Sequence, residues 1–94
     1  MLEIEYSILA KRTLTNIALF IEQTNTKGAG SRWKNKFLNK VKKYAKPIQY
    51  APCRHKVYAN YGFSCVAIDS WIIIFKVEKN SFYIHQILFA AAYN

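Results

Sequence analysis

The chain predicts an α+β domain, ordered β-α-α-β-β-β, with two N-terminal helices packed on one face of an antiparallel sheet. Three observations carry this. Two consecutive segments in the first half repeat apolar residues every three or four positions, the period of a helix with one buried face. The last third is cut by short turns into runs rich in β-branched and aromatic residues. A short alternating run opens the chain. At 94 residues the sequence is predicted to form a single domain over 1–94, and such a chain buries roughly 60–65% of its unfolded surface. A hydrophobic fraction of 52% with 16% aromatic residues excludes a disordered chain.

Residues 2–6 read as the first strand, because Leu2, Ile4 and Tyr6 alternate with Glu3 and Glu5. Ser7 is suited to cap the following helix, since its hydroxyl accepts an otherwise orphaned backbone N–H. That helix is predicted over residues 8–24, with Ala10, Leu14, Ile17, Ala18 and Ile21 on its inward stripe. Gly28-Ala29-Gly30-Ser31 reverses the chain, and Ser31 is the expected cap of the second helix. No GxGxxG or Walker pattern surrounds these glycines, so a turn is favoured over a phosphate loop. The second helix is predicted to end at Lys46, because Pro47 cannot continue it. Trp33, Phe37, Val41, Tyr44 and Ile48 form its inward stripe, widened by Leu38 and Ala45.

The segment 48–61 gives the least. Pro52 argues against a long strand, and Asn60-Tyr61-Gly62 reads as a turn. Beyond it lie three strands, over 63–68, 71–78 and 82–88. They are separated by Asp69-Ser70 and Lys79-Asn80-Ser81. The middle one, beginning Trp71-Ile72-Ile73-Ile74-Phe75, is apolar on both faces. It is therefore predicted to be a central strand, covered by helices on one side and partly on the other.

Charge is the strongest functional signal. Of 14 Lys and Arg, ten lie between Gln23 and Ile68, a stretch with no Asp or Glu. The formal charge is +9. Lys34, Lys36, Lys40, Lys42, Lys43, Lys46, Arg54 and Lys56 are the candidate polyanion-binding residues. Lys36, Lys40 and Lys43 make one row of the second helix, and Lys42 and Lys46 another. A solvated lysine face is common, but it usually carries acids in i,i+4 pairs. Here the helix carries none. Such a field attracts nucleic acid, a ribosomal surface or an acidic protein.

Other classes fall away. No apolar run approaches the ~20 residues of a membrane span. Glu3 and Glu5 stand where a signal peptide carries positive charge, so a cytoplasmic protein is expected. Cys53 and Cys65 form no CxxC pair and are expected to be reduced thiols. With His55 and His85 they are too scattered for a metal site, Cys53-x-His55 being the sole weak pair, so no metal and no cofactor are expected. Neither thiol has an evident His and acid partner for hydrolysis.

The order of elements, the length and the charge resemble the RelE/ParE superfamily of toxins from bacterial type II toxin–antitoxin modules, plasmid stabilisation proteins. The opening IEYSILAKRTLTNI is similar to that family's first strand, cap and helix. IDSWIIIFKVEKNSFYIHQIL resembles its C-terminal hairpin, where an aromatic-led apolar strand ends in a basic residue, a valine and an acid. The resemblance covers nearly the whole chain, and its C-terminal part is the more specific. Many members continue with a His-Gly-Ala-Arg-Asp-like tail. Here Phe89 stands in the His position and Ala92 in the Arg position.

The resemblance implies growth inhibition, an acidic antitoxin partner, and one of two targets: DNA gyrase, which ParE toxins poison, or mRNA on the ribosome, which RelE toxins cut. A binding poison needs no catalytic set, so the altered tail favours gyrase slightly. A basic RNA-binding protein without toxicity is a further alternative. A metal-independent endoribonuclease must deprotonate a 2′-OH, neutralise the phosphorane and protonate the leaving oxygen. Arg54 and Lys76 are candidates for charge neutralisation, His85 for proton transfer, and Tyr93 for base stacking or hydrogen-bond donation. Structural roles compete with each. His85 is predicted to share a strand face with Tyr83 and Ile87, Lys76 to be an ordinary polar-face residue, Tyr93 to be mobile near the terminus, and Arg54 to be solvated.

Overall fold

The computed structural model describes residues 2–93. The first strand, β1 (Glu3–Tyr6), leads into α1 (Ile8–Thr24) and α2 (Ala29–Lys42). A short α3 (Lys56–Asn60) precedes β2 (Ser64–Ile68), β3 (Trp71–Glu78) and β4 (Ser81–Phe89), and a 3-10 turn, Ala90–Ala92, closes the described chain. The sheet order is β1-β4-β3-β2. β2, β3 and β4 are antiparallel neighbours, whereas β1 lies parallel to β4. A parallel partner requires a crossover, and the α1–α2 hairpin begins it.

Ser7 caps α1 as its hydroxyl predicts. Oγ accepts from the Ala10 amide at 2.9 Å and donates to the His85 carbonyl. The Ser7 amide also donates to Ile84 O at 2.9 Å. One residue thus ends β1, starts α1 and fixes both to β4.

The second helix departs from expectation at both ends. It starts at Ala29 rather than at Ser31 because its cap comes from across the turn. Glu22 of α1 accepts from the Gly28 amide at 2.7 Å and the Gly30 amide at 2.9 Å. Gly28 permits this with φ of 87°. The helix stops at Lys42, and residues 43–45 tighten into i→i−3 bonds to Lys40, Val41 and Lys42. Ala45, fully buried, accepts from the Leu2 amide at 3.2 Å, so the chain is drawn to the foot of β1 before Pro47 acts. Beyond that point the helical period no longer holds. Ile48, expected on the inward stripe, is 52% exposed.

One core lies between the helices and the sheet. Ala10 and Leu14 of α1 and Phe37 and Val41 of α2 meet Ile73 and Phe75 of β3 and Phe82, Ile84 and Ile87 of β4. β3 is the central apolar strand expected. Its alternation turns Ile74, also fully buried, to the far face opposite Cys65 and Gln86. That far face is covered by α3 and the segment before it, for which the sequence offers no period.

Two expectations are corrected here. First, β4 carries a bulge: Ile74 pairs with Gln86 but Phe75 with Ile84, leaving His85 as the extra residue. The extra residue puts Ile84 and Ile87, three apart, into the same core. His85 therefore does not share a face with Ile87. Second, Cys53 and Cys65 are joined in a disulfide. The isolated Pro52–Ser64 bridge and the Cys53 N–H bond to Phe63 O, 3.1 Å, lay residue 53 against edge strand β2. Spacing along the chain carries no trace of this pairing.

Candidate functional site

The eight candidate polyanion residues do not form one surface. α2 packs on the core face of the sheet, whereas Arg54 and Lys56 belong to the segment covering the far face. Lys36, Lys42, Lys43 and Lys46 are exposed, and the α2 lysines lack acidic neighbours on their own helix. Tertiary structure supplies one. Asp69, in the β2–β3 turn, holds Lys40 Nζ at 2.7 and 2.9 Å. With side chains 45% and 52% exposed, that pair contributes at most ~1 kcal/mol. Lys34 borders a groove between α1 and α2, near Glu22.

The glycine turn is already occupied. The amides that open α2, where an anion would dock, are taken by the Glu22 carboxylate. Those two bonds, Gly28 first and then Gly30, hold the Glu22 carboxyl below its ordinary value of 4.5; burial opposes the shift and the Arg32 charge assists it. The turn is thus a self-satisfied helix joint, as the absence of a phosphate motif implies.

The four candidate catalytic residues all lie on the far side of the sheet, in two places. At one, the His85 imidazole stacks on Phe63 with ring centres 4.7 Å apart, and Lys76 Nζ sits 4.7 Å over the same Phe63 ring. The bulge that expels His85 from the core row makes this possible. At the other, Arg54 and Tyr93 line a cleft of about 330 Å³ with Ile72, Ala67 and the disulfide. Tyr93 is fixed rather than free. Its hydroxyl accepts from the His55 amide at 3.0 Å and turns its proton to Cys65 Sγ at 3.6 Å. Tyr58, on α3, links the two places: its ring stacks near Tyr93 at 6.4 Å and its hydroxyl meets Gln86 Oε1 at 3.4 Å.

Phe63, Tyr58 and His55 are site residues that sequence reasoning misses. The first two are ordinary aromatics in sequence, and only the covering segment brings them onto the sheet. Among the described residues, no hydrogen bond joins His85 to Arg54, Lys76 or Tyr93. The His85 and Lys76 head groups both contact the Phe63 ring. The assembly offers stacking faces and cations rather than a linked acid and base.

No family model matches this sequence, and no curated protein matches it. Solved structures do. A chain from "Chromosomal ParDE TA system from P. aeruginosa" superposes with a TM-score of 0.74, covering 95% of this chain and 96% of its own length, at 13% identity. The two chains share one fold. The match over nearly the whole of both chains fits the RelE/ParE arrangement expected from the hairpin sequence, including the helix pair ahead of the three-stranded meander. Within that RelE/ParE-like frame, the cleft holding Arg54 and Tyr93 is otherwise mostly apolar. None of the described helices is long and apolar enough to cross a membrane.

Proposed function

We propose that this chain is the toxin of a type II toxin–antitoxin module in the bacterial cytoplasm, held by an acidic antitoxin, and that it arrests growth as a ParE-like poison of DNA gyrase. The observation that carries the reading is the fold match to a chain of a chromosomal ParDE system over 95% of this chain. Gyrase is favoured over mRNA by the scattered placement of the candidate catalytic groups. A nuclease needs a proton acceptor, a proton donor and a charge stabiliser converging on one phosphate. Here Lys76 and His85 are engaged with Phe63, and Arg54 and Tyr93 lie in a separate cleft. A binding poison asks only for a complementary surface.

One observation supports the ribosome-dependent endoribonuclease instead. The His85–Phe63 stack with Lys76 above it is the kind of aromatic and cationic platform on which an unpaired base can lie.

Induced expression in a bacterial host separates these readings when transcripts and gyrase–DNA breaks are followed together. The expected result is arrest with trapped breaks and intact mRNA, retained in His85→Ala. Arrest with cleaved transcripts, lost on substitution of Arg54 or His85, would establish the nuclease. Absence of arrest would leave a non-toxic, basic RNA-binding protein.

A further inference from the structure

The residues between the two cysteines are lightly held. α3 has five residues, none of them buried, and a helix so short is not stable by itself in water. Its segment touches the sheet and tail through the His55 amide on the Tyr93 hydroxyl at 3.0 Å, the Tyr58 hydroxyl on Gln86 at 3.4 Å, and the Phe63 ring stacked on His85. Few buried groups and partly exposed hydrogen bonds mark a unit that opens apart from the rest of a fold. The Cys53–Cys65 bond is the covalent tie that keeps this unit on the far face of the sheet, where Ile74 is fully buried.

That bond is open to attack. Both cysteines line the cleft of about 330 Å³. Cys53 is only 5% exposed, whereas Cys65 is half-buried, so Cys65 Sγ is the sulfur an incoming thiolate meets. Among the described residues, the lining supplies one cation, Arg54, and no carboxylate. It suits a small thiol that brings carboxylates of its own, since a guanidinium binds them with fixed geometry. In the bacterial cytoplasm proposed above, on which this inference rests, thiols are kept reduced, and the disulfides that do form are chiefly transient or redox-sensing.

We infer that Cys53–Cys65 is a reversible exchange site for small carboxylate-bearing thiols of the glutathione class, and that its reduction releases the α3 segment from the sheet. A thiolate entering the cleft attacks Cys65 Sγ. A bond forms between the two sulfurs, the Cys53–Cys65 bond breaks, and Cys53 leaves as a thiolate. A second small thiolate attacks the sulfur of the first, which departs with it as a disulfide and leaves Cys65 as a thiolate. In sum, two small thiols are oxidised to one disulfide and the protein's pair is reduced, each cysteine taking its proton from solvent or from the incoming thiol. With the tie gone, Arg54 and His55 are no longer held beside Tyr93, so the cleft exists only in the oxidised chain.

The test equilibrates the oxidised full chain with mixtures of reduced and oxidised glutathione, traps free thiols by alkylation, and follows amide hydrogen exchange in the same samples. Two free thiols are expected to appear together as reduced glutathione rises, with a single glutathione adduct on Cys65 at early times. Exchange in residues 54–63 should quicken at least about tenfold as they appear, while α1, α2 and β3 stay protected. The double variant C53S/C65S should show the same fast exchange with no glutathione present. Arg54→Ala should slow reduction by glutathione at least about threefold and leave reduction by the uncharged 2-mercaptoethanol unchanged. A pair that stays oxidised throughout the series overturns the inference, because structural disulfides resist glutathione in this way. So does loss of protection across the whole chain on reduction, or an unfolded double variant, since the bond would then staple the fold. Equal effects of Arg54→Ala on both thiols would remove the glutathione class as the ligand. None of these failures touches the toxin reading, which stands or falls on growth arrest.

Discussion

Glu22 is one of five carboxylates in a chain with 14 Lys and Arg, and it serves the backbone rather than those cations. Its two oxygens terminate the α1–α2 turn by accepting from Gly28 and Gly30. Those bonds favour the ionised form, so its titration in the folded chain lies below the ordinary 4.5. The sign follows directly: the contribution to stability is fully present above the ordinary value and is lost as pH falls through the lowered one. Glu22→Gln keeps one acceptor and turns an NH₂ toward the other amide. It should melt at lower temperature than wild type near neutral pH, and the gap should close at an acidic pH below the lowered value. Thermal melts at the two pH values check this; a gap unchanged by acid would mean that the carboxylate charge is not what holds the turn. Ser7 is a second residue with more than one task, but its role as a cap is legible because the partner amide is three residues away. The cap supplied by Glu22 is not, since its partners are six and eight residues off and across a reversal.

At the scale of elements, close approach decides the helix hairpin. A methyl group built on Gly30 would stand 2.3 Å from the carbonyl oxygen of Ala18. That atom belongs to the α1 backbone and cannot swing aside. Alanine in place of glycine inside a helix ordinarily stabilises by roughly 1 kcal/mol. Here the helices must separate first, and overpacking of this kind costs about 1–3 kcal/mol. Gly30→Ala is therefore expected to lower the urea midpoint of unfolding; an unchanged or higher midpoint would remove Gly30 from the account of α1–α2 packing. The periodic elements are readable in advance. α1 has the expected span, and β3 is identifiable as central because both its faces are apolar. What the pattern misses is local and has tertiary causes. The end of α2 is set by Ala45 meeting Leu2, and the orientation of His85 by one extra residue in β4. α3 has only five residues, too few to leave a period, and it is capped by its own His55.

For the whole molecule, the sheet acts as a partition. The basic residues of α2 lie on one side of it, and Arg54, Lys56, Lys76 and His85 on the other. A net charge read from composition suggests a single basic surface; the fold divides those cations between two faces with different aromatic content. The candidate site is legible only as residue types. That Lys76 and His85 share Phe63, while Arg54 and Tyr93 share a cleft with the disulfide, depends on contacts between segments that period and composition do not encode. The disulfide has a further consequence for the integrity of the polypeptide. Cys53 and Cys65 close a covalent ring around α3, and the exposed Arg54 and Lys56 lie inside it. A trypsin cut after either residue opens the ring without dividing the molecule. Such a nicked chain should run as one species on a denaturing gel and split into two only after a thiol is added. Were the cysteines free, as the sequence alone suggests, the two fragments would part at once. Breakage of the backbone at this loop is thus uncoupled from loss of the tail that carries Tyr93.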